Sequence, residues 1–326
     1  GRTLAPGSDI WPVTWAADGN LYTAFGDGGG FGGTNQDGRV SLGVARVEGG
    51  KDDYRGINIA GGKNAPHPPP FGGKSEGLLA IGRTLYLWRD GDASSPGYFK
   101  FVELWRSEDF GVKWRFTGVR FSTGDGDFPA GDEGFFAPAF CQFGRAYAGA
   151  RDRYVYIYAP DSVDPTHWRV RVPGRVNLIR VPRGRMEVKG AYDFFAGTGA
   201  DSRPRWTKSL AVRKPVWEDR VNGTHRMAVS YNPVLKRYLL TTIHERREEG
   251  WMAIYDAPEP WGPWTLVHCE RSPERWGSAI RGPIIFTFVN KWLSGDGKRF
   301  VIVHTKNDSW ATIEGRFQVA EAAGKQ

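Results

Sequence analysis

Five times along this 326-residue chain, a short polar turn opens into an alternating aromatic and aliphatic strand. The copies are Asp18-Gly19-Asn20-Leu21-Tyr22, Gly82-Arg83-Thr84-Leu85-Tyr86, Asp152-Arg153-Tyr154-Val155-Tyr156, Lys236-Arg237-Tyr238-Leu239-Leu240 and Gly297-Lys298-Arg299-Phe300-Val301. Roughly 60 to 85 residues separate them, which leaves room for one four-stranded antiparallel unit with variable loops. An apolar segment precedes each copy, near Trp11 to Ala16, Gly77 to Ile81, Phe135 to Phe143, Met227 to Tyr231 and Ile284 to Trp292. A third strand follows each, near Leu42 to Val47, Val102 to Trp105, Val176 to Val181, Trp251 to Tyr255 and Ala311 to Phe317. Four of these run through a turn to a candidate outer strand. The fifth has little chain left, so its outer strand has to come from elsewhere. Helical periodicity is almost absent, with Asp219 to Ala228 the one ambiguous stretch.

The expected fold is therefore all-β: a five-bladed β-propeller of four-stranded antiparallel blades, one domain over residues 1–326. Composition agrees, since 14 Trp, 44 Gly and 21 Pro suit many short strands joined by tight turns. No linker divides the chain, and the Pro-rich stretch Gly61 to Gly73 reads as a surface loop. No run approaches the 18 or so apolar residues of a membrane span. Gly1 opens the sequence and no leader-like run follows it. Cys141 and Cys269 either form one bridge or stay as two thiols, and neither sits in a metal or redox motif. The net charge of +8 comes from scattered residues, apart from a richer stretch at Arg169 to Arg185. Without a recognisable reading module, that charge does not point to nucleic acid.

One turn is distinctive. Ser107-Glu108-Asp109-Phe110-Gly111-Val112-Lys113-Trp114 fits S-x-D-x-G-x-x-W, the Asp-box of sialidase-like propellers. Its Asp is expected to cap turn amides, its Gly to supply a positive φ and its Trp to pack under the hairpin. That is a structural role, away from the active face. Asp256 to Trp264 occupies the equivalent turn of the fourth unit.

Antiparallel pairing puts the start of each first strand and the end of each second strand on one face. On that face fall Asp9 and Asp27; Lys74, Glu76, Arg89 and Asp90; Asp132, Glu133 and Asp161; His225, Arg226, His244 and Glu245; and Arg281, His304, Lys306 and Asp308. Asp9 and Asp27 flank the opening hairpin, at adjacent strand ends, which places their side chains within about 5 to 10 Å, a range that serves glycosidic cleavage. One would protonate the leaving oxygen; the other would attack the anomeric carbon or activate water. Gly26 and Gly28 to Gly30 leave room for a sugar, and no helix follows to make them a phosphate loop. Trp11, Trp15, Phe31, Trp88 and Trp310 lie near the same strand ends as candidate stacking platforms, although most Trp in such a chain belongs to the core. Substrate contacts are expected from Trp11, Glu76, Arg89, Glu133, His225, Arg226, His244, Arg281 and His304. No ligand spacing supports a metal, and no cofactor is expected.

Several segments carry a family resemblance. Ser8-Asp9-Ile10-Trp11-Pro12-Val13-Thr14-Trp15-Ala16, Leu21 to Gly28, Arg55 to Ile59, Tyr147 to Asp152 and Ile254 to Trp264 resemble the domain-of-unknown-function 4185 family. That family resembles five-bladed glycosidase propellers, and some relatives are endo-D-arabinanases. The resemblance marks Asp9 and Asp27 as the paired catalytic carboxylates. It departs near Thr224-His225-Arg226 and in the acidic insertion Gly124 to Glu133. The expected function is a secreted or periplasmic glycoside hydrolase acting on a polysaccharide or oligosaccharide, arabinan-like or acidic. The expectation includes no nucleic-acid partner and leaves oligomeric state open. Two readings stand beside it: a lyase that cleaves uronate chains, with His225, His244, Tyr22, Arg226 and Arg281 as base and cations, and a non-catalytic glycan-binding propeller.

Overall fold

A computed structural model describes residues 2–91, 100–162, 174–244, 251–271, 285–305 and 307–319. Strands account for nearly all of the regular structure, and the only helices among the described residues are single 3₁₀ turns. None is long and apolar enough to cross a membrane.

Strand β1 is the short Thr3–Leu4. The first sheet follows, as β2 (Val13–Trp15), β3 (Leu21–Phe25), β4 (Gly43–Glu48) and β5 (Arg55–Ala60), in sequence order and antiparallel throughout. The second sheet repeats it with β6 (Lys74–Ile81), β7 (Thr84–Asp90), β8 (Phe101–Ser107) and β9 (Arg115–Ser122). Next come β10 (Ala139–Gln142), β11 (Tyr154–Pro160), β12 (Arg175–Pro182), β13 (Asp193–Thr198), β14 (Pro204–Thr207) and β15 (Pro215–Glu218). A fourth run holds β16 (Met227–Asn232), β17 (Arg237–His244), β18 (Trp251–Ala257) and β19 (Thr265–Arg271). The last is β20 (Phe286–Phe288), β21 (Arg299–Thr305) and β22 (Trp310–Arg316), whose outer edge pairs with β1 through Thr3 opposite Ala311 and Leu4 opposite Trp310. Strand β1 thus supplies the fourth strand of this last sheet.

All five repeats become the turn into a second strand, namely β3, β7, β11, β17 and β21. The device is visible twice in the same form. The Asp18 carboxylate accepts from the Asn20 amide at 3.0 Å and from the Tyr22 hydroxyl at 2.9 Å, and Asp152 does the same for Tyr154 and Tyr156 at 2.8 and 2.7 Å. An Asx turn therefore starts the strand, and an aromatic hydroxyl two pleats later locks it. In the turn from β8 to β9, Ser107 and Asp109 accept from the Gly111 and Lys113 amides at 2.8 and 2.9 Å, and the Trp114 indole donates to the Gly111 carbonyl at 3.0 Å.

The four-stranded expectation needs correcting in the third run. Its outer position is filled end to end by two pieces, with β13 pairing Ile179 and Arg180 while β15 pairs Arg175 to Asn177. In addition, β10 and β16 bond in parallel, so the third and fourth runs make one ten-stranded sheet. Short strands broken by Gly and Pro cannot continue one ladder, so the chain covers the edge of β12 in instalments.

Apolar faces are shared from sheet to sheet. Tyr22 and Val44 of the first pack with Leu78 and Leu87 of the second, and Trp11, Phe25 and Val47 of the first pack with Trp292, Val301 and Trp310 of the last. Trp11 is fully buried there, edge-on to Trp310 at 5.3 Å and against Phe25 at 5.5 Å. Burial of one such side chain contributes about 2 to 3 kcal/mol. At the inner strands, Thr14 donates to Gln142 at 2.9 Å and accepts from the Ala80 amide, while Gln142 donates to the Leu78 carbonyl, so the innermost strands of three runs meet.

Candidate active site

The first sheet delivers two carboxyls side by side. Asp9 exchanges both backbone hydrogen bonds with Gly26, at 2.9 Å each, which sets it opposite the neighbour of Asp27. Ile10 (φ 55°) and Asp27 (φ 56°) hold left-handed backbone conformations, costly for side chains with a Cβ and concentrated at functional sites. The loop after Asp27 is tied down to bear this. Asn58 donates to the carbonyls of Gly29, Phe31 and Lys63 and accepts from the Phe31 amide, and Ser8 accepts from the Gly30 amide. A Cβ on Gly28 would fall on the Gly7 carbonyl, and one on Gly29 on the Asp37 carbonyl. These glycines thus serve close chain approach, not the admission of a sugar as expected from the sequence.

The two acids differ in surroundings. Asp9 is 6% exposed, whereas the Asp27 side chain is 37% exposed. Burial pushes the Asp9 carboxyl up to about 7, against the pull of Lys74 and with a smaller push from Asp27; Arg226 and Asp308 also act on it. Asp27 stands between two cations, with Lys74 Nζ at 2.5 Å from Oδ1 and Arg39 Nη2 at 3.4 Å. A Cβ on Gly26 would lie 3.2 Å from both Asp9 Oδ1 and Lys74 Nζ, so the ammonium also neighbours Asp9. Laid end to end, these contacts keep the Asp9 and Asp27 Oδ1 atoms no more than about 9 Å apart, below the upper limit of the span that paired carboxyls use in glycosidic cleavage.

Behind them lies a buried set of charges. Arg226, just ahead of β16, donates from Nε and Nη2 to Glu76 on β6 at 2.6 and 2.7 Å. Asp90, at the end of β7 and opposite Lys74, is fully buried; burial first and then Glu76 push it well above the usual carboxyl range. Although burial opposes it, the Arg226 guanidinium holds Glu76 below that range. The structure therefore brings together Asp9, Asp27, Glu76 and Arg226 of the expected residues, joined by Lys74, Asp90 and Asp308.

Other expected contacts are placed differently. Trp11, Trp88 and Trp310 lie in the core, and Phe31 is buried against Trp11, so none of these offers a stacking face; their side of the pleat points between sheets. Trp15 bonds the Gly19 carbonyl at the far end of its hairpin. Arg89 turns away from Asp90 to pair Glu103 at 2.7 Å beside Phe71 and Trp105. Glu76 and Arg226 are occupied by each other. His225 is buried 5.3 Å from the Phe136 ring, and His304 is buried and stacked on Phe286. His244 is wedged between the Gly223 carbonyl and the Tyr255 hydroxyl, and burial lowers its pKa. Glu133 is exposed on the loop ahead of β10, outside the buried group. Arg281, Glu245 and Lys306 lie outside the described residues. Both cysteines are free thiols, with Cys141 buried and Cys269 exposed. Sequence reading put Lys74 and Asp90 on this face, as charges flanking a strand, but gave them no role. It passed over Asn58, which was visible only as part of a family-like segment.

Comparison with known proteins adds the fold's kinship. A thermostable family-43 glycoside hydrolase is similar at 12% identity, over 98% of this chain and 92% of that one, with a TM-score of 0.51. The GH43_1 enzyme from Xanthomonas citri gives 12%, 98%, 89% and 0.52, and an endo-1,4-beta-xylanase from Bacteroides thetaiotaomicron 9%, 98%, 94% and 0.51. At such identities the likeness is one of fold. No curated protein matches the sequence. Residues 78–308 match the model of the domain of unknown function DUF4185, a span that includes Asp90, Arg226 and Asp308 and begins after Asp9, Asp27, Lys74 and Glu76.

Proposed function

The chain belongs to the DUF4185 family, and from that premise we propose that it is a five-bladed β-propeller glycoside hydrolase in which Asp9 is the acid and Asp27 the working carboxylate. The observation that carries this is the unequal environment of two adjacent carboxyls. A buried group pushed up to about 7 can hold a proton at working pH and release it, while its partner stands partly exposed between two cations. Asp9 would give its proton to the glycosidic oxygen as the carbon–oxygen bond breaks, so that the leaving sugar departs as an alcohol. Asp27, across the ring, would attack the anomeric carbon in a retaining enzyme or take a proton from water in an inverting one. The fold kinship with family-43 enzymes supports a sugar substrate, and an arabinan-like or acidic cell-wall glycan is the class we favour. Secretion or export to the periplasm would fit such a substrate.

The lyase reading loses support because its candidate bases are engaged elsewhere. His225 is buried against the Phe136 ring, His244 is held at both nitrogens, and the Tyr22 hydroxyl bonds Asp18 at the opposite end of its strand.

Incubation with a panel of plant and bacterial cell-wall glycans, followed by product mass analysis, tests the proposal. Hydrolysis should add one water per bond cut. Asp9→Asn and Asp27→Asn should each reduce turnover by about 10² to 10⁴-fold or more while remaining folded. Unsaturated products would establish a lyase; glycan retention without product would establish a binding protein. Full activity in both variants would remove the assigned chemistry.

A further inference from the structure

We propose that Lys74 is a positioning residue of the reaction centre, whose buried ammonium fixes the Asp27 carboxylate and leaves the transferable proton of the pair on Asp9. This rests on the hydrolase reading for its catalytic meaning, but its electrostatic content stands without it. Lys74 is 2% exposed, an extreme degree of burial for a lysine. Its stem comes from the first position of β6, in the second sheet, yet its Nζ reaches Asp27 in the first sheet at 2.5 Å. The same Nζ lies over Gly26 beside Asp9 Oδ1. An ammonium in that place touches one acid directly and biases the other at slightly longer range.

Charge accounting explains why the position matters. The described charged groups around the pair are Lys74 and Arg39 beside Asp27, Glu76 with Arg226 behind, Asp90, and Asp308 beyond β21. Glu76 and Arg226 neutralise each other. Burial first, and then the neighbouring Glu76, disfavour the charged form of Asp90. Arg39 is half in solvent, so its attraction is screened. The fixed, desolvated cation at the two catalytic acids is then Lys74. Without it, Asp27 and Asp9 would be two adjacent carboxyls sharing one proton, and neither would be assigned a role. The reach from one sheet to the next also couples the alignment of the acids to the packing of those sheets. A lysine is suited to this, since its ammonium is a compact point charge on a flexible stem that can lie between two carboxyls, whereas the planar fork of arginine matches bidentate pairing with one carboxylate.

The experiment uses the full chain labelled with ¹³C at aspartate carboxyls, with titrations followed by NMR. In the wild type one carboxyl should titrate near 7 and vanish in Asp9→Asn, which assigns it. In Lys74→Met the Asp27 signal, identified by its loss in Asp27→Asn, should move upward by about one pH unit or more, as loss of a contact ion partner requires. Asp9 should move upward with it. Lys74→Arg should move Asp27 less than Lys74→Met does. Should Lys74→Met not fold, Lys74→Met/Asp27→Asn removes both charges together, and Asp9 should titrate higher there than in Asp27→Asn, because the pull of the ammonium on it is gone. Asp27 and Asp9 titrations unchanged in Lys74→Met, or an Asp9 titration unchanged between Asp27→Asn and the double variant, would overturn the proposal. On a glycan the wild type cleaves, Lys74→Met should lower kcat with KM nearly unchanged and move the alkaline limb of kcat/KM upward. If no glycan is cleaved by the wild type, the hydrolase reading fails while the titrations still decide the role of Lys74.

Discussion

Asp9 and Asp27 are the same residue type, 18 positions apart, and the fold makes them chemically different. One is buried beneath its own hairpin, and the other stands on a left-handed turn between Lys74 and Arg39. Gly26 is what allows them to meet. Its φ is ordinary, so an alanine is acceptable to the backbone, but the added methyl would press on the Ser41 carbonyl and fall between Asp9 and Lys74. Gly26→Ala should therefore cost about 1 to 3 kcal/mol in urea unfolding and reduce turnover far more than that loss explains. Wild-type turnover in Gly26→Ala would show that the spacing of Asp9 and Lys74 is not critical. Asn58 works at one remove, with four hydrogen bonds fastening the loop behind Asp27. Asn58→Ala leaves buried carbonyls without donors and should lower stability by about 2 to 4 kcal/mol, with kcat falling more than KM rises.

At the scale of elements, the second strands were the most legible. Each is announced by a turn and by aromatic alternation, and Asp18 and Asp152 show why, since one carboxylate both starts the strand and holds a tyrosine hydroxyl. The third strands were legible from their place after each repeat. The outer edge of β12 was not, because β13, β14 and β15 are too short to show a period and pair in two instalments. Facing was also hidden. Trp11 and Trp88 occur near strand ends, as a sugar platform would, but one residue of register decides whether an indole meets solvent or the next sheet. Lys74 illustrates the same limit, for a lysine at a strand start reads as a solvated charge until the neighbouring sheet is in place. Strand β1 gives this scale its own test. Removing residues 1–4 should bare the edge of β22, lower Tm by several degrees and promote association between chains; an unchanged Tm would mean that this closure contributes nothing.

Over the whole molecule, the sheets matter for function because they gather charge. Asp9 and Asp27 come from the first, Lys74, Glu76 and Asp90 from the second, Arg226 from the run that begins β16, and Asp308 from the last. The convergence of strand starts and strand ends on one face followed from antiparallel pairing, and so was readable in advance; which charges would be buried was not. Burial leaves a signature in the pH dependence of stability. Burial pushes Asp9 up to about 7 in the fold against an ordinary carboxyl value of 3.8, so the folded state binds the extra proton in that window. Its contribution is fully present below about 4 and is lost as pH rises through 7. Urea unfolding of wild type should therefore lose on the order of a few kcal/mol relative to Asp9→Asn between about pH 4 and 7, and run parallel to it above. A constant difference across that window would mean that Asp9 is not held protonated.

The pairing of the two acids across a sugar is tested most directly by a crystal structure of Asp9→Asn soaked with an oligosaccharide that the wild type cleaves. The account predicts the scissile oxygen within hydrogen-bond distance of the residue-9 side chain, and the anomeric carbon facing the Asp27 carboxylate from the other side of the ring. A sugar bound elsewhere, with neither group in reach of the bond to be broken, would contradict it.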